Sequence, residues 1–190
     1  HPMTLRTRLN LATAYARLND YTAALALEEE VIAARTRVLG RQHPDTLAIQ
    51  INHAGTLLRA GRSRESVQLL TATMPLAREV LGIKHPRMQD AMLIRADALM
   101  LIGDHAAALA SYHELFATRL ELLGEENPQT IVAAWNIVDA YEQLGRKAAA
   151  VDLRQQYMTP LLAADPESLS EPLAHLAEAM RAGNRPGKLK

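Results

Sequence analysis

Seven histidines and twenty-one acidic residues are the side chains here that could support metal or acid–base chemistry, so their spacing comes first. His1, His43 and His85 stand a constant step apart, too far for one ion, and His105 and His113 are eight residues apart. None of these makes the i, i+4 pair with a carboxylate that a helical metal site requires. There is no Cys, which excludes thiolate ligands and disulfides without fixing the redox compartment. A glycine-rich phosphate loop, a nucleophile elbow and a pair of catalytic carboxylates are all missing from the sequence. These observations point to no metal, no cofactor and no enzyme. The run Glu28-Glu29-Glu30 reads as a solvated helix face.

Bulk charge narrows the partners. Lys plus Arg is 21 and Asp plus Glu is 21, whereas a nucleic-acid binder needs a surplus of positive charge to displace counterions from phosphates. No apolar run approaches the roughly 20 residues that span a bilayer, so no membrane insertion by this segment is expected. The first residue is His1 and not Met, so the segment reads as part of a longer chain. The compartment stays open: the cytoplasm is favoured, and the periplasm fits if the parent has a membrane anchor.

Residues able to recognise a ligand without catalysis must be positioned by the elements that carry them, and a period defines those elements. His1-Pro2, His43-Pro44, His85-Pro86 and Asn127-Pro128 recur every 42 residues. Asn19, Gly61, Gly103 and Gly145 keep that step, as do Gly40, Gly82 and Gly124. A degenerate fifth copy begins at Asp165-Pro166, 38 residues after the fourth, and reaches its glycine at Gly183. Pro is harmless just inside a helix start, where its missing N–H would have no partner, and the residue before it can cap. Asn or Gly suits the left-handed residue that ends one helix before the next. Each repeat therefore reads as a helix A, a tight turn, a longer helix B and a short loop. Repeat 1 gives helices near 2–18 and 21–39, and the whole chain gives nine helices, the last over about 167–182. Small residues at the same step (Ala12, Ala54, Ala96 and Val138 on A; Ala24, Ser66, Ala108 and Ala150 on B) allow close helix approach. Pro75 and Pro160 fall inside B helices, which are expected to kink or break there.

The string Asn10-Leu11-Ala12, Tyr15, Asn19, Tyr21, Ala24, Val38-Leu39-Gly40 and His43-Pro44-Asp45-Thr46-Leu47 resembles the tetratricopeptide repeat. It is most similar to the 42-residue variety seen in kinesin light chains and many bacterial multi-repeat proteins. The resemblance covers residues 1 to about 184. It implies an all-α fold: a right-handed superhelix of four helix pairs plus a C-terminal capping helix. The array would be a single domain over 1–184, with repeats 1–42, 43–84, 85–126 and 127–164, a cap at 165–184 and a flexible tail at 185–190. It implies that A helices line a concave groove for a peptide or partner helix, with neither catalysis nor cofactor.

The groove positions implied by the resemblance are Arg6, Asn10, Thr13 and Arg17 in repeat 1, and Asn52 and Arg59 in repeat 2. Asp90, Ile94 and Asp97 follow in repeat 3, and Trp135, Asn136 and Asp139 in repeat 4. The amides of Asn10, Asn52 and Asn136 could bond a peptide backbone, having donors and an acceptor; the alternative is a bond within their own array. Trp135 could anchor a ligand or pack between repeats. The first Asn of the family's usual pair is replaced by Leu9, Ile51, Leu93 and Trp135, which suggests a greasier groove floor. His53 and Arg95 occupy a position that is apolar in the family, as does Glu28. Arg6, Arg17 and Arg59 stand toward one end, and Asp90, Asp97, Asp139 and Glu142 toward the other, which suits a ligand of mixed charge with its acidic part on repeats 1 and 2. The expected function is a protein-binding scaffold. The rivals are a regulatory or sensory segment of a larger bacterial signalling protein, for example one attached to a kinase, and a module that self-associates through the exposed face of its first repeat.

Overall fold

The computed structural model describes residues 2–182, with side chains from Thr4 onward. The expectations for His1, Gly183 and the 185–190 tail lie outside the described residues. Every described regular element is helical. Contacts divide the chain at Asp104/His105 into two compact units.

The first unit holds α1 (Pro2–Arg17), α2 (Tyr21–Leu39), α3 (Pro44–Arg59), α4 (Ser63–Leu81) and α5 (Pro86–Leu101). Each helix packs on the next in sequence, and α3 also meets α5 directly. The punctuation works as its chemistry requires. His43 Nδ1 accepts from the Asp45 amide at 3.1 Å and His85 Nδ1 from the Arg87 amide at 3.1 Å, so each imidazole caps a helix with the nitrogen that carries no proton. Asn19 ends α1 at φ 62°, where the equivalent Gly61 has φ 77°. Asn tolerates this left-handed conformation better than other non-glycine residues. Gly82 combines φ 83° with ψ 157°, a region essentially confined to glycine. The small residues of the 42-step series are buried: Ala12, Ala24, Ala54, Ser66 and Ala96. Ser66 Oγ donates to the Ala54 carbonyl at 2.8 Å, a measure of how closely α3 and α4 approach.

The second unit holds α6 (His105–Leu123), α7 (Pro128–Gln143), α8 (Lys147–Tyr157), α9 (Thr159–Ala163) and α10 (Glu171–Arg181), with a 3-10 turn at Pro166–Ser168. Its core gathers Ile131, Val138, Tyr157, Met158, Leu161, Leu176 and Met180, with Phe116 edge-on to Tyr157 at 5.2 Å. Asn127 and Asp165 cap through their side-chain oxygens, as expected of the pre-proline positions.

Three expectations need correction, and the one for Pro160 is met. Of the kink or break expected at Pro75, the break does not occur, since α4 runs continuously from Ser63 to Leu81. Pro160 does coincide with a break: the fourth B helix is split into α8 and α9 at Met158, with Pro160 in the first turn of α9. A prolyl ring removes one amide donor and crowds the preceding turn. The last helix starts at Glu171 and not near 167, because Pro166 opens a 3-10 turn and an extended Leu169 and Ser170 precede the new start. The described residues accordingly contain ten α-helices where the period gave nine.

Candidate functional site

On α1, the spacing of Arg6, Asn10, Thr13 and Arg17 puts them on one helix face. All four are exposed. Asn10, Thr13 and Arg17 line an open depression of about 530 Å³ together with Ala14 and Leu18. Thr13 spends its hydroxyl proton on the Leu9 carbonyl at 2.9 Å, which leaves its oxygen as an acceptor. Asn10 presents its amide to solvent.

On α3 and α5 the sequence-derived residues are joined by one that spacing did not single out. Arg87 Nη1 donates to Asn52 Oδ1 at 3.1 Å and pairs with Asp90 at 3.5 Å. The Asn52 carbonyl oxygen is therefore engaged by the protein itself. Gly55 explains the close approach of these helices: a Cβ there would stand 3.3 Å from Ile94 Cδ1. Ile94 is thus half-buried against α3. Ile51, expected on the groove floor, is fully buried and belongs to the core.

Charge across this unit is uneven. Arg6, Arg17 and Arg59 are exposed, and none has an ion-pair partner among the described residues. Asp90 has Arg87, and Asp97 is half-buried and engaged. On α1 itself, Arg8 pairs with Glu30 of α2, and the helix contains no acidic residue. The available charge is positive.

In the second unit the residues named from repeat 4 behave differently. Asn136 is only 4% exposed, so its amide is not presented as that of Asn10 is. Trp135 is half-buried and packs against the core cluster of that unit. Asp139 is half-buried and engaged, and Glu142 pairs with Arg154 at 2.6 Å. The three asparagines are therefore not equivalent: one is open, one bonded, one buried.

Glu28 overturns its reading as part of a solvated run. It is 4% exposed. Its two oxygens meet His53 Nδ1 at 2.8 Å and accept from Thr56 Oγ1 at 2.8 Å. Two residues that each looked out of place on its own helix thus satisfy one another across α2 and α3. The signal that could have found them is the 42-step register, in which position 28 on a B helix faces position 53 on the next A helix. Elsewhere, His113 Nε2 lies 3.0 Å from Tyr141 Oη, and partial burial of the imidazole lowers its pKa from 6.5. Among the described residues no group of three or more His, Asp or Glu side chains could hold a metal ion, and no helix is long and apolar enough to cross a membrane.

Two family profiles match the chain, both described as tetratricopeptide repeat, one over residues 4–45 and 46–87 and the other over 87–159. No curated protein matches the sequence. Among solved structures, the fold is similar to that of a Podosopora anserina protein described as a kinesin light chain with nearly identical TPR-like repeats. That match has a TM-score of 0.77 and 25% identity, covering 96% of this chain and 90% of the other. A single-substitution form of the same protein matches with the same values. BtubC (BKLC) from P. vanneervenii matches with a TM-score of 0.63 and 22% identity, over 92% of this chain and 71% of that one, a likeness of fold alone.

Proposed function

We propose that this chain, which belongs to the tetratricopeptide repeat family, is a protein-interaction scaffold whose A-helix face in the first unit takes an acidic peptide or partner helix. Tetratricopeptide repeats generally serve protein–protein interaction, and that coarse role holds here. The observation that carries the finer reading is the open α1 surface, where Asn10 and Arg17 stand together with no internal partner for the arginine. Arg6 and Arg59 extend the positive character over α1 and α3. An acidic segment would gain electrostatic attraction there, while Asn10 and the Thr13 oxygen could bond its backbone. The mixed-charge ligand suggested by the sequence becomes a mainly acidic one, because the carboxylates Asp90 and Glu142 already face arginines of this chain. No catalytic step is part of this role.

Selection of a random peptide library on the immobilised protein tests it. Enriched sequences should be rich in Asp and Glu, and the Arg17→Glu/Arg59→Glu variant should lose them. Enrichment of neutral or basic peptides, or binding unchanged by the double reversal at low salt, contradicts the reading.

A second reading has its own observation. Leu11 of α1 and Leu18, the residue just past its end, are 46% and 77% exposed. Positions 53 and 56, one repeat on from Leu11 and Ala14, are buried beneath α2. This apolar face of the first repeat supports self-association. Light scattering over a range of concentrations decides it, since a mass that stays monomeric excludes the role.

A further inference from the structure

The break in the fourth B helix opens a cleft that has no counterpart in the groove described above. Where α8 gives way to α9, the chain turns aside, and the start of α10 comes back over the gap. The resulting cavity has a volume of about 400 Å³, within the range of small-ligand and side-chain sites. Its apolar lining includes Ile131, Tyr157, Leu161, Leu169 and Leu173. Glu125 and Glu126, from the loop between α6 and α7, stand at its rim and are exposed.

The side chains that line this cleft carry charge of one sign, while outside the lining Arg119 bonds the Gln129 carbonyl and Arg181 the Leu162 carbonyl. The chain carries no Lys or Arg between residues 120 and 145 or between 155 and 180, the stretches that supply every wall. The acidic residues of the same stretches include Glu121, Glu125, Glu126, Asp165, Glu167 and Glu171. The acidic field reaches inside: Tyr157 is 8% exposed, and burial, with the Glu125 charge as a second cause, raises its pKa above 10.0. Its hydroxyl accepts from Gln156 Nε2 at 3.3 Å.

We propose that this cleft is a second binding site, for a basic peptide segment that places an aliphatic side chain on the Leu161–Leu173 floor and a flanking Lys or Arg at Glu125 and Glu126. The apolar floor rewards a leucine-like side chain by removing it from water. The one-signed rim excludes acidic segments, so the two sites of this chain would select opposite charges.

The probe is a capped pentapeptide alternating lysine and leucine, titrated into the full chain with isotope-labelled Ile and Leu methyl groups at low salt. Two control peptides carry glutamate in place of lysine and alanine in place of leucine. The expected result is saturable shifts at Ile131, Leu161, Leu169 and Leu173, with neither control binding. The Glu125→Gln/Glu126→Gln variant, altered only at exposed positions, should bind about 3- to 10-fold more weakly. Absence of saturable shifts at these methyls, equal binding of either control, or unchanged affinity of the variant overturns the proposal. So does an affinity that rises tenfold or more on deleting residues 183–190, because the chain's own Lys188-Leu189-Lys190 would then be the occupant.

Discussion

Replacing Glu28 with Leu removes the centre of the buried α2–α3 bond set, and the cost can be worked from its partners. His53 Nδ1 loses its 2.8 Å contact, and its Nε2 is left 3.9 Å from Glu29, beyond hydrogen-bond length. Thr56 keeps a weaker bond to the Asn52 carbonyl at 3.3 Å. One buried polar group is stranded and a second is weakened, and a stranded group costs about 1–3 kcal/mol. The single variant should therefore lose about 2–3 kcal/mol, and His53→Leu alone a similar amount because it leaves the buried Glu28 Oε2 without its partner while Oε1 keeps only Thr56. The double variant should cost less than about 2 kcal/mol, well below the sum of the singles, since two leucines need no polar partner and only fit imperfectly. The register supports this: Leu70, one repeat on from Glu28, is fully buried in the equivalent place. Urea unfolding followed by circular dichroism, with midpoints compared at unchanged slope, measures the cycle. A double variant as unstable as the two singles added together would refute the idea that these side chains are there for each other.

Further outcomes follow from single sites. The hydroxyls of Thr46 and Thr130 are buried without a hydrogen-bond partner, and Met88 fills the same register position. Thr46→Val should hence raise stability by up to about 1–3 kcal/mol, seen as a higher unfolding midpoint; a lower midpoint would show that the hydroxyl is satisfied. Asn19→Val should cost about 1–2 kcal/mol because a branched residue resists φ 62°, and it also removes the acceptor of the Tyr21 hydroxyl; a neutral result in thermal unfolding would contradict it. Because burial lowers the His113 pKa from 6.5, the unfolded chain takes up that proton first as pH falls. This imidazole's contribution is thus present above pH 6.5 and is lost as pH drops through the folded-state pKa. An NMR titration should place its midpoint below 6.5 in both the native chain and Tyr141→Phe, and a midpoint above 6.5 contradicts the cause given.

Much of the fold was legible in the sequence because turns and caps are local. His43, Asn127 and Gly82 act through their own backbone neighbours, so each carries its meaning in its immediate context. The end of the array was less legible. Pro75 and Pro160 look alike in a string, yet only the second coincides with a break, and nothing local in the sequence distinguishes a helix held together by its packing from one that is not. The candidate site was legible as a helix face, for Arg6, Asn10, Thr13 and Arg17 follow from helical spacing alone. What spacing omits is who else reaches the face. Arg87 comes from the next A helix to occupy Asn52, and Asn136 sinks into its unit although its register matches that of exposed Asn10. The cleft beside Tyr157 depends on a chain reversal that has no period, so the repeat pattern could not reveal it.

An acidic-ligand role depends above all on where a partner touches the first unit. Amide chemical-shift mapping with an acidic peptide from the library selection answers this directly. The largest saturable changes should fall at Asn10, Thr13, Arg17, Asn52 and Arg59, and should shrink as salt is raised. Changes confined to the outward positions of α2 and α4, such as Ala26, Arg64 and Thr71, would contradict it.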